Sequence, residues 1–381
     1  MTTGNTVSVD ALRQELWQKE LYKDVMDNMY FTSNGLMGEG ENNIVQLKNN
    51  LKKAQGDTIT LPLTAKMTGN GVSGDNELEG NEEKINAYSE SVAIDQKRFA
   101  VRLTGKLDEQ KNAYNMRTDA KNKLSVRLQE FIERQLFLKL AGVTNLTLTD
   151  IAGTVIAADA KWSNAALADS GTAFDQQNTD TAAGYGARFL MADYASGGTS
   201  LAATDLITPE LISRAKIKAQ VASPKILPLK VNGQNYYVMF VHPYQAFDLK
   251  NNATFAQARR EADVRGSSNP IFTGALGIWD GVIIKEHEYV PFLDASAAGD
   301  SFEAGASNTD YAVDACRAIL CGRQAAVYAQ CAGSMNMVEK LFDYDNQVGY
   351  ATGIIGGIQR LTFNAKAYGV VQLDTAITAL V

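Results

Sequence analysis

Hydrophobic positions along this chain change period several times, and each change marks a different element. In residues 9–31, Leu12, Leu16, Tyr22, Val25, Met26, Met29 and Tyr30 fall close to helical spacing behind Asp10, whose carboxylate suits an N-cap. The run Thr32–Gly40, rich in glycine, predicts no regular structure, so this helix is expected to lie away from the main body as an arm. Thr58–Leu63 alternates, with Ile59, Leu61 and Leu63 on one face and Pro62 marking an edge strand. Ile85–Leu103 is strand-like again, with Phe99, Val101 and Leu103 alternating against Arg98, Ala100 and Arg102. Between them, Gly69–Lys84 carries four glycines and the five carboxylates of Asp75, Glu77, Glu79, Glu82 and Glu83. The simplest geometry is a long two-stranded excursion with a polar tip. Such a ribbon is marginal alone in water and needs a surface to lie on.

From Met116 to Leu140 the period turns helical, with Ala120, Leu124, Leu128, Phe131, Ile132 and Leu136 on one stripe and Lys121, Arg127, Glu130 and Arg134 pointing elsewhere. Glu130 and Arg134 have the favourable spacing for an ion pair, and Gly142 supplies a stop. At about 1.5 Å per residue this helix is roughly 35 Å long, enough for the spine of a flat subunit. Residues 145–204, rich in Ala, Thr, Asp, Ser and Gly, read as a surface insertion between two lobes, and 292–312 as a second local insertion. Thr208-Pro209-Glu210 then starts a helix. Tyr236–Val241, Val282–Val290 and Ala315–Leu320 follow as strands, and Leu361–Leu373 as closing strands around Tyr368-Gly369. The expected class is α+β.

A length of 381 residues exceeds the roughly 250–300 at which one core stops growing, so two or more lobes are expected. The 36 basic and 43 acidic residues give a net charge of −7, the wrong sign for broad binding to a phosphate backbone. No run of about 18 apolar residues occurs and the start has no signal-peptide pattern, so the protein is expected to stay in the cytoplasm where it is made. Cys316, Cys321 and Cys331 are expected to be buried free thiols.

Catalytic chemistry finds few candidates. The chain has only His242 and His287, and Glu286-His287-Glu288 lacks the second histidine of a zinc helix because Pro291 stands in its place; a solvated strand end is the expected reading. Gly353–Gly357 lacks the ending of a phosphate loop and is expected to mark close backbone packing or a tight turn. Asp75, Glu77 and Glu79 open like a calcium loop, but Asn86 occupies the position that needs a bidentate glutamate. No catalytic, cofactor or metal site is expected. The charge asymmetry between hairpin and helix suggests inter-subunit contacts instead, joining Asp75, Glu77, Glu79, Glu82 and Glu83 to Arg117, Lys121 and Arg127 of a neighbouring copy.

Several local runs carry a family likeness: Leu78–Glu83, Ile94–Arg98, Val238–Pro243, Asn269–Val282, Arg317–Leu320, Asp343–Gly349, Gly353–Asn364 and Tyr368-Gly369. Together they resemble the major capsid protein of tailed bacteriophages, in the family typified by the coat protein of the coliphage N-four, with the Hong Kong-type capsid fold. The resemblance implies an N-terminal arm (1–56), an extended loop lying over the adjacent subunit (57–95) and a peripheral domain with the spine helix (96–144). It further implies an axial domain (206–340) and closing strands of the peripheral domain (341–381), while the surface insertion (145–205) matches no family pattern. The implied protein is no enzyme and holds no cofactor. Its hexamers and pentamers form an icosahedral head, working with scaffolding protein, a portal, possible decoration protein and loosely held double-stranded DNA, with no membrane partner. Its place is the virion, assembled in the bacterial host cytoplasm. An encapsulin-like nanocompartment shell is the alternative within the same fold.

Overall fold

The computed structural model describes residues 25–49, 58–64, 71–112, 115–142, 188–193, 201–263, 276–293 and 313–378, apart from 27, 86, 223–224, 232, 332–335 and 364–365. A hairpin dominates the first sheet: β13 (Ala326–Gln330) and β14 (Asn336–Phe342) run antiparallel to β15 (Gln347–Arg360). On its other edge β15 pairs with β5 (Asp95–Arg102), and β13 continues parallel to β2 (Val45–Lys48), itself parallel to β1 (Met37–Gly38). Gly356 is matched with both Gln330 and Asp95, and Gly353 with both Asn336 and Arg98, so β13 and β14 share one edge of β15 and β5 takes the other. Val348, Tyr350, Ile354 and Ile358 of β15 are buried with the stripe of the spine helix, while Gly349, Ala351 and Gly353 alternate to the opposite face.

The spine helix runs Met116–Ala141, 26 residues or roughly 39 Å. Asn115 caps it by accepting from the Thr118 amide at 3.3 Å, and Gly142 ends it in the left-handed region at φ 65°. Ala120, Leu124, Leu128, Ile132 and Leu136 are buried as the periodicity predicts, with Phe131 packed at the margin. Glu130 pairs with Arg127 at 3.9 Å, and Arg134 lies over the Tyr289 ring at 5.2 Å, so the predicted Glu130–Arg134 pairing gives way to other partners.

The second sheet is ordered β6 (Phe189–Met191), β18 (Val370–Ala376), β12 (Ala315–Cys321), β8 (Gln234–Val241), β10 (Val282–Glu286) and β9 (Gly277–Trp279). Short strands β11 (Phe292–Leu293) and β7 (Leu229–Val231) join β12 and β8, and β16 (Thr362–Phe363) pairs with β17 (Lys366–Ala367) apart from both sheets. Helix Pro209–Val221 starts as the sequence predicts, with Thr208 Oγ1 accepting from the Leu211 amide at 3.4 Å. Its Leu211, Ile212, Ala215 and Ala219 pack with Met239, Val371 and Leu373 of the sheet. The larger core joins Leu136 and Phe137 of the spine helix to Phe240 and Ile319 of the second sheet and to Tyr328 and Ile354 of the first.

Three expectations are corrected. The chain from residue 25 onward does not lie away from the body: Val25, Met26, Met29 and Phe31 are buried in the larger core. The Thr32–Gly40 run holds the end of a short helix, Tyr30–Ser33, and β1. Glu133 Oε1 accepts from the Tyr30 amide at 2.6 Å and so caps that helix from the spine. Asp10 and the rest of the expected helix lie outside the described residues. Secondly, Arg188–Met191, read as surface insertion, is buried, and β6 pairs parallel with β18. Most of 145–204 and of 292–312 lies outside the described residues. Thirdly, the division at residue 340 cuts across the sheets, because β13 belongs to the first and β18 to the second.

His287 is also no solvated strand end. Its ring stacks on Phe137 at 4.3 Å and meets Tyr30 at 4.4 Å, and Nδ1 accepts from the Tyr289 amide at 3.1 Å. His242 Nδ1 likewise accepts from the Tyr244 amide, at 3.3 Å, as the cap of helix Pro243–Asn251. Burial pushes both imidazoles down to about 4 from 6.5, with Glu286 pulling His242 slightly back up. A depressed folded-state value means stability that is complete above pH 6.5 and lost as pH falls from there through about 4. Burial raises Glu133 and Glu90, which take up protons earlier in the folded state and oppose part of that loss. The melting temperature of the subunit, followed by calorimetry, is therefore expected to drop across this window, and His287→Phe to flatten the drop.

Candidate assembly interface

The predicted ribbon is present: β3 (Thr58–Thr64) pairs antiparallel with β4 (Ala87–Ala93), from Thr58 opposite Ala93 to Thr64 opposite Ala87. Pro62 is tolerated because each strand of this two-stranded ribbon is an edge. The surface it needs is supplied at its root, where Ile59 and Val92 are buried with Val327, Ala329 and Leu361. Glu90 fastens the same place, accepting from Gln359 Nε2 at 2.8 Å and Thr362 Oγ1 at 2.7 Å. Burial raises this carboxyl, against the pull of those two hydrogen bonds and of Arg360.

β4 leads into β5 along one line, since Glu90 meets Gln359 and Thr362 just beyond the point where Asp95 pairs with Gly356. The ribbon thus runs off the end of the first sheet, and its tip is exposed from Ser73 to Ile85. Within the tip, Gly80 donates its amide to Glu82 Oε2 at 2.9 Å, and Asn81 Nδ2 to the Glu77 carbonyl at 2.9 Å. Gly71, Gly74 and Gly80 take positive φ, which lets the chain turn repeatedly. Asp75, Glu77, Glu79, Glu82 and Glu83 all lie on this exposed stretch, with Leu78 and Ile85 more than half exposed among them.

The basic residues expected to meet them are engaged within the chain. Arg117 forks onto Glu109, Nε at 3.1 Å from Oε1 and Nη2 at 3.1 Å from Oε2, and this hydrogen bonding raises the guanidinium further above its ordinary value. Lys121 Nζ lies 4.8 Å above the Tyr350 ring. Arg127 pairs with Glu130 and sits 5.9 Å over Phe99. The structure therefore places the tip carboxylates along the ribbon and gives each of the three spine cations a partner within its own lobe.

Glycines of the C-terminal run prove to be sites of close packing within a strand and form no turn. A Cβ on Gly356 would stand 2.3 Å from the Ala329 carbonyl oxygen, and one on Gly353 2.9 Å from Arg98 Cγ. The turn of the long hairpin lies instead at Asp343, Tyr344 and Asp345, all at positive φ, with Tyr344 fully exposed. Two of the three thiols, Cys316 and Cys321, are buried as expected, and Cys331 is half-buried.

A family model described as phage capsid protein matches residues 5–379. The major capsid protein of Pseudomonas phage KPP25 is 28% identical over 385 residues, covering 98% of each chain. Among solved structures, the capsid of Ralstonia phage GP4 superimposes with a TM-score of 0.71 at 26% identity, over 92% of each chain. The cyanophage Pam1 capsid gives a TM-score of 0.70 at 26% identity, over 90% of this chain and 91% of that one.

Proposed function

We propose, because the chain belongs to the phage capsid protein family, that its copies join as hexamers and pentamers and close into the icosahedral head of a tailed phage. Its role as a major capsid protein is structural, and its fold is the α+β Hong Kong-type fold of tailed-phage capsids. The observation that carries the assembly reading is the ribbon: it is anchored at the root by Ile59, Val92 and Glu90 and leaves its own sheet with an exposed polar tip. In this reading residues 57–95 lie over the adjacent copy, and the spine helix keeps the lobe built on the first sheet stiff. The lobe built on the second sheet meets its copies at the centres of pentamers and hexamers. Each contact is weak and is multiplied by symmetry.

Scaffolding protein and a portal act with it in the bacterial cytoplasm, and no cofactor or catalytic step is involved. The net charge of −7 suits a wall that encloses double-stranded DNA without holding it tightly. The family match is to phage capsid proteins, which favours the phage head over an encapsulin-like shell. The test is to express the chain alone and with a scaffolding protein encoded beside it, and to examine the products by electron microscopy and sedimentation. Closed shells or capsomer-sized rings are expected; a persistent monomer or dimer under both conditions overturns the reading.

A further inference from the structure

The face of the first sheet turned away from the spine helix carries a cluster of cations that the sequence did not single out. Arg98 and Arg102 of β5 and Lys340 of β14 are exposed there. Arg98 lies opposite Gly353, and both Arg102 and Lys340 lie opposite Gly349. The glycines let side chains lie across β15. Arg98 Cγ occupies the place of a Gly353 Cβ, and the Phe342 ring that of a Gly349 Cβ, at 2.9 and 2.8 Å. Arg102 Cζ and Lys340 Nζ flank that ring, 4.5 and 4.9 Å from its centre. Val338, about half exposed, adds an apolar edge. In a chain of net charge −7 this face is a local reversal of sign.

We propose that this face receives the acidic hairpin tip of a second copy, with Asp75, Glu77 and Glu79 meeting Arg98, Arg102 and Lys340, and Leu78 meeting Val338. The inference rests on the capsid reading and names the partner surface of the ribbon within it. Topology disfavours the chain's own tip: the ribbon leaves the sheet at the end where Asp95 pairs with Gly356, Arg102 and Lys340 sit at the other end beside Gly349, and Arg98 lies between. Charge selects the occupant, since the carboxylates of one exposed tip complement the three cations of this face. Arg117, already forked onto Glu109, is a poorer receiver. Arg98 offers the planar fork that grips a carboxylate, and Arg102, whose Nη2 donates to Gln347 Oε1, has further N–H donors to offer one.

Two charge reversals test this. Glu77→Lys with Glu79→Lys, and separately Arg98→Glu with Arg102→Glu, are each expected to raise the protein concentration needed for shell formation about tenfold, an effect of weak contacts multiplied by symmetry. Combining the two sets should restore assembly. A second measurement needs no variant. Carbodiimide treatment of wild-type shells, which joins a carboxylate to an amine as an amide with loss of water to the reagent, should link Lys340 to the tip, read by mass spectrometry, and do so only in assembled protein. Wild-type shells without that link, or reversed variants that assemble at the wild-type concentration, overturn the docking inference while leaving the capsid reading intact. Failure of the wild type to assemble at all would count against the capsid reading itself.

Discussion

Asp374→Asn is expected to lower the unfolding free energy of the subunit by about 3–5 kcal/mol, because it leaves a buried guanidinium without its counter-charge. Arg317 and Asp374 face each other in the register of β12 and β18, and both side chains are fully shielded from solvent. The pair is bidentate, Nε to Oδ1 at 2.8 Å and Nη2 to Oδ2 at 2.7 Å. Arg317 also reaches the Ala141 carbonyl at 3.4 Å and lies 5.5 Å from the centre of the Phe189 ring. The contact therefore joins the second sheet to the last turn of the spine helix, and its loss loosens one lobe from the other. Asparagine keeps the shape of the side chain and removes the charge, so the effect isolates electrostatics from packing. The double variant Arg317→Met with Asp374→Leu removes both charges and should cost far less than Asp374→Asn alone, a strong positive coupling in a double-mutant cycle. Urea unfolding of the unassembled subunit measures both, and an Asp374→Asn subunit within about 1 kcal/mol of wild type would mean that other groups neutralise Arg317.

The long elements could be read from the sequence because each repeats one physical period. Leu124, Leu128, Ile132 and Leu136 recur often enough to announce a buried helical face, and Phe99 and Val101 against Arg98 and Arg102 announce a two-faced strand. β1, β2 and β6 are two to four residues long, too short for any period to show, and β2 and β6 are held by pairing with strands far away in the chain. For the same reason the interleaving of the lobes was hidden: β18 closes the second sheet and β13 the first only through long-range partners. The acidic tip was legible as composition. The cations were harder, because a sequence shows charge without its partner: Glu109 lies eight residues from Arg117, and Tyr350 lies far along the chain from Lys121. Arg98, Arg102 and Lys340 were visible as residues, but only the register across Gly349 and Gly353 places them on one surface.

Gly356→Ala is expected to cost about 3 kcal/mol, at the upper end of what overpacking does, and to reduce shell yield sharply, whereas Gly353→Ala costs less. The difference lies in what each new methyl group meets. At Gly356 it meets the Ala329 carbonyl oxygen at 2.3 Å, part of the backbone of β13, which is also held on its far side by β2. Backbone fixed by two neighbours cannot rotate out of the way, so the strands must part. At Gly353 the nearest atom is Arg98 Cγ at 2.9 Å on a long flexible side chain, followed by the Lys97 carbonyl oxygen at 3.1 Å. Parting the strands at Gly356 has a consequence beyond stability, because Asp95 pairs with the same glycine and stands at the root of the ribbon. A small displacement there is carried along β4 to the tip, where it moves the carboxylates that must find a neighbouring copy. Gly353→Ala should instead disturb the seat of Arg98 while leaving the ribbon root in place. Thermal melting is expected to rank Gly356→Ala below Gly353→Ala, and both below wild type. Sedimentation of assembled material should show the larger loss for Gly356→Ala even at temperatures where that variant remains folded. Equal yields from two folded variants would mean that the ribbon root is decoupled from the strand beside it.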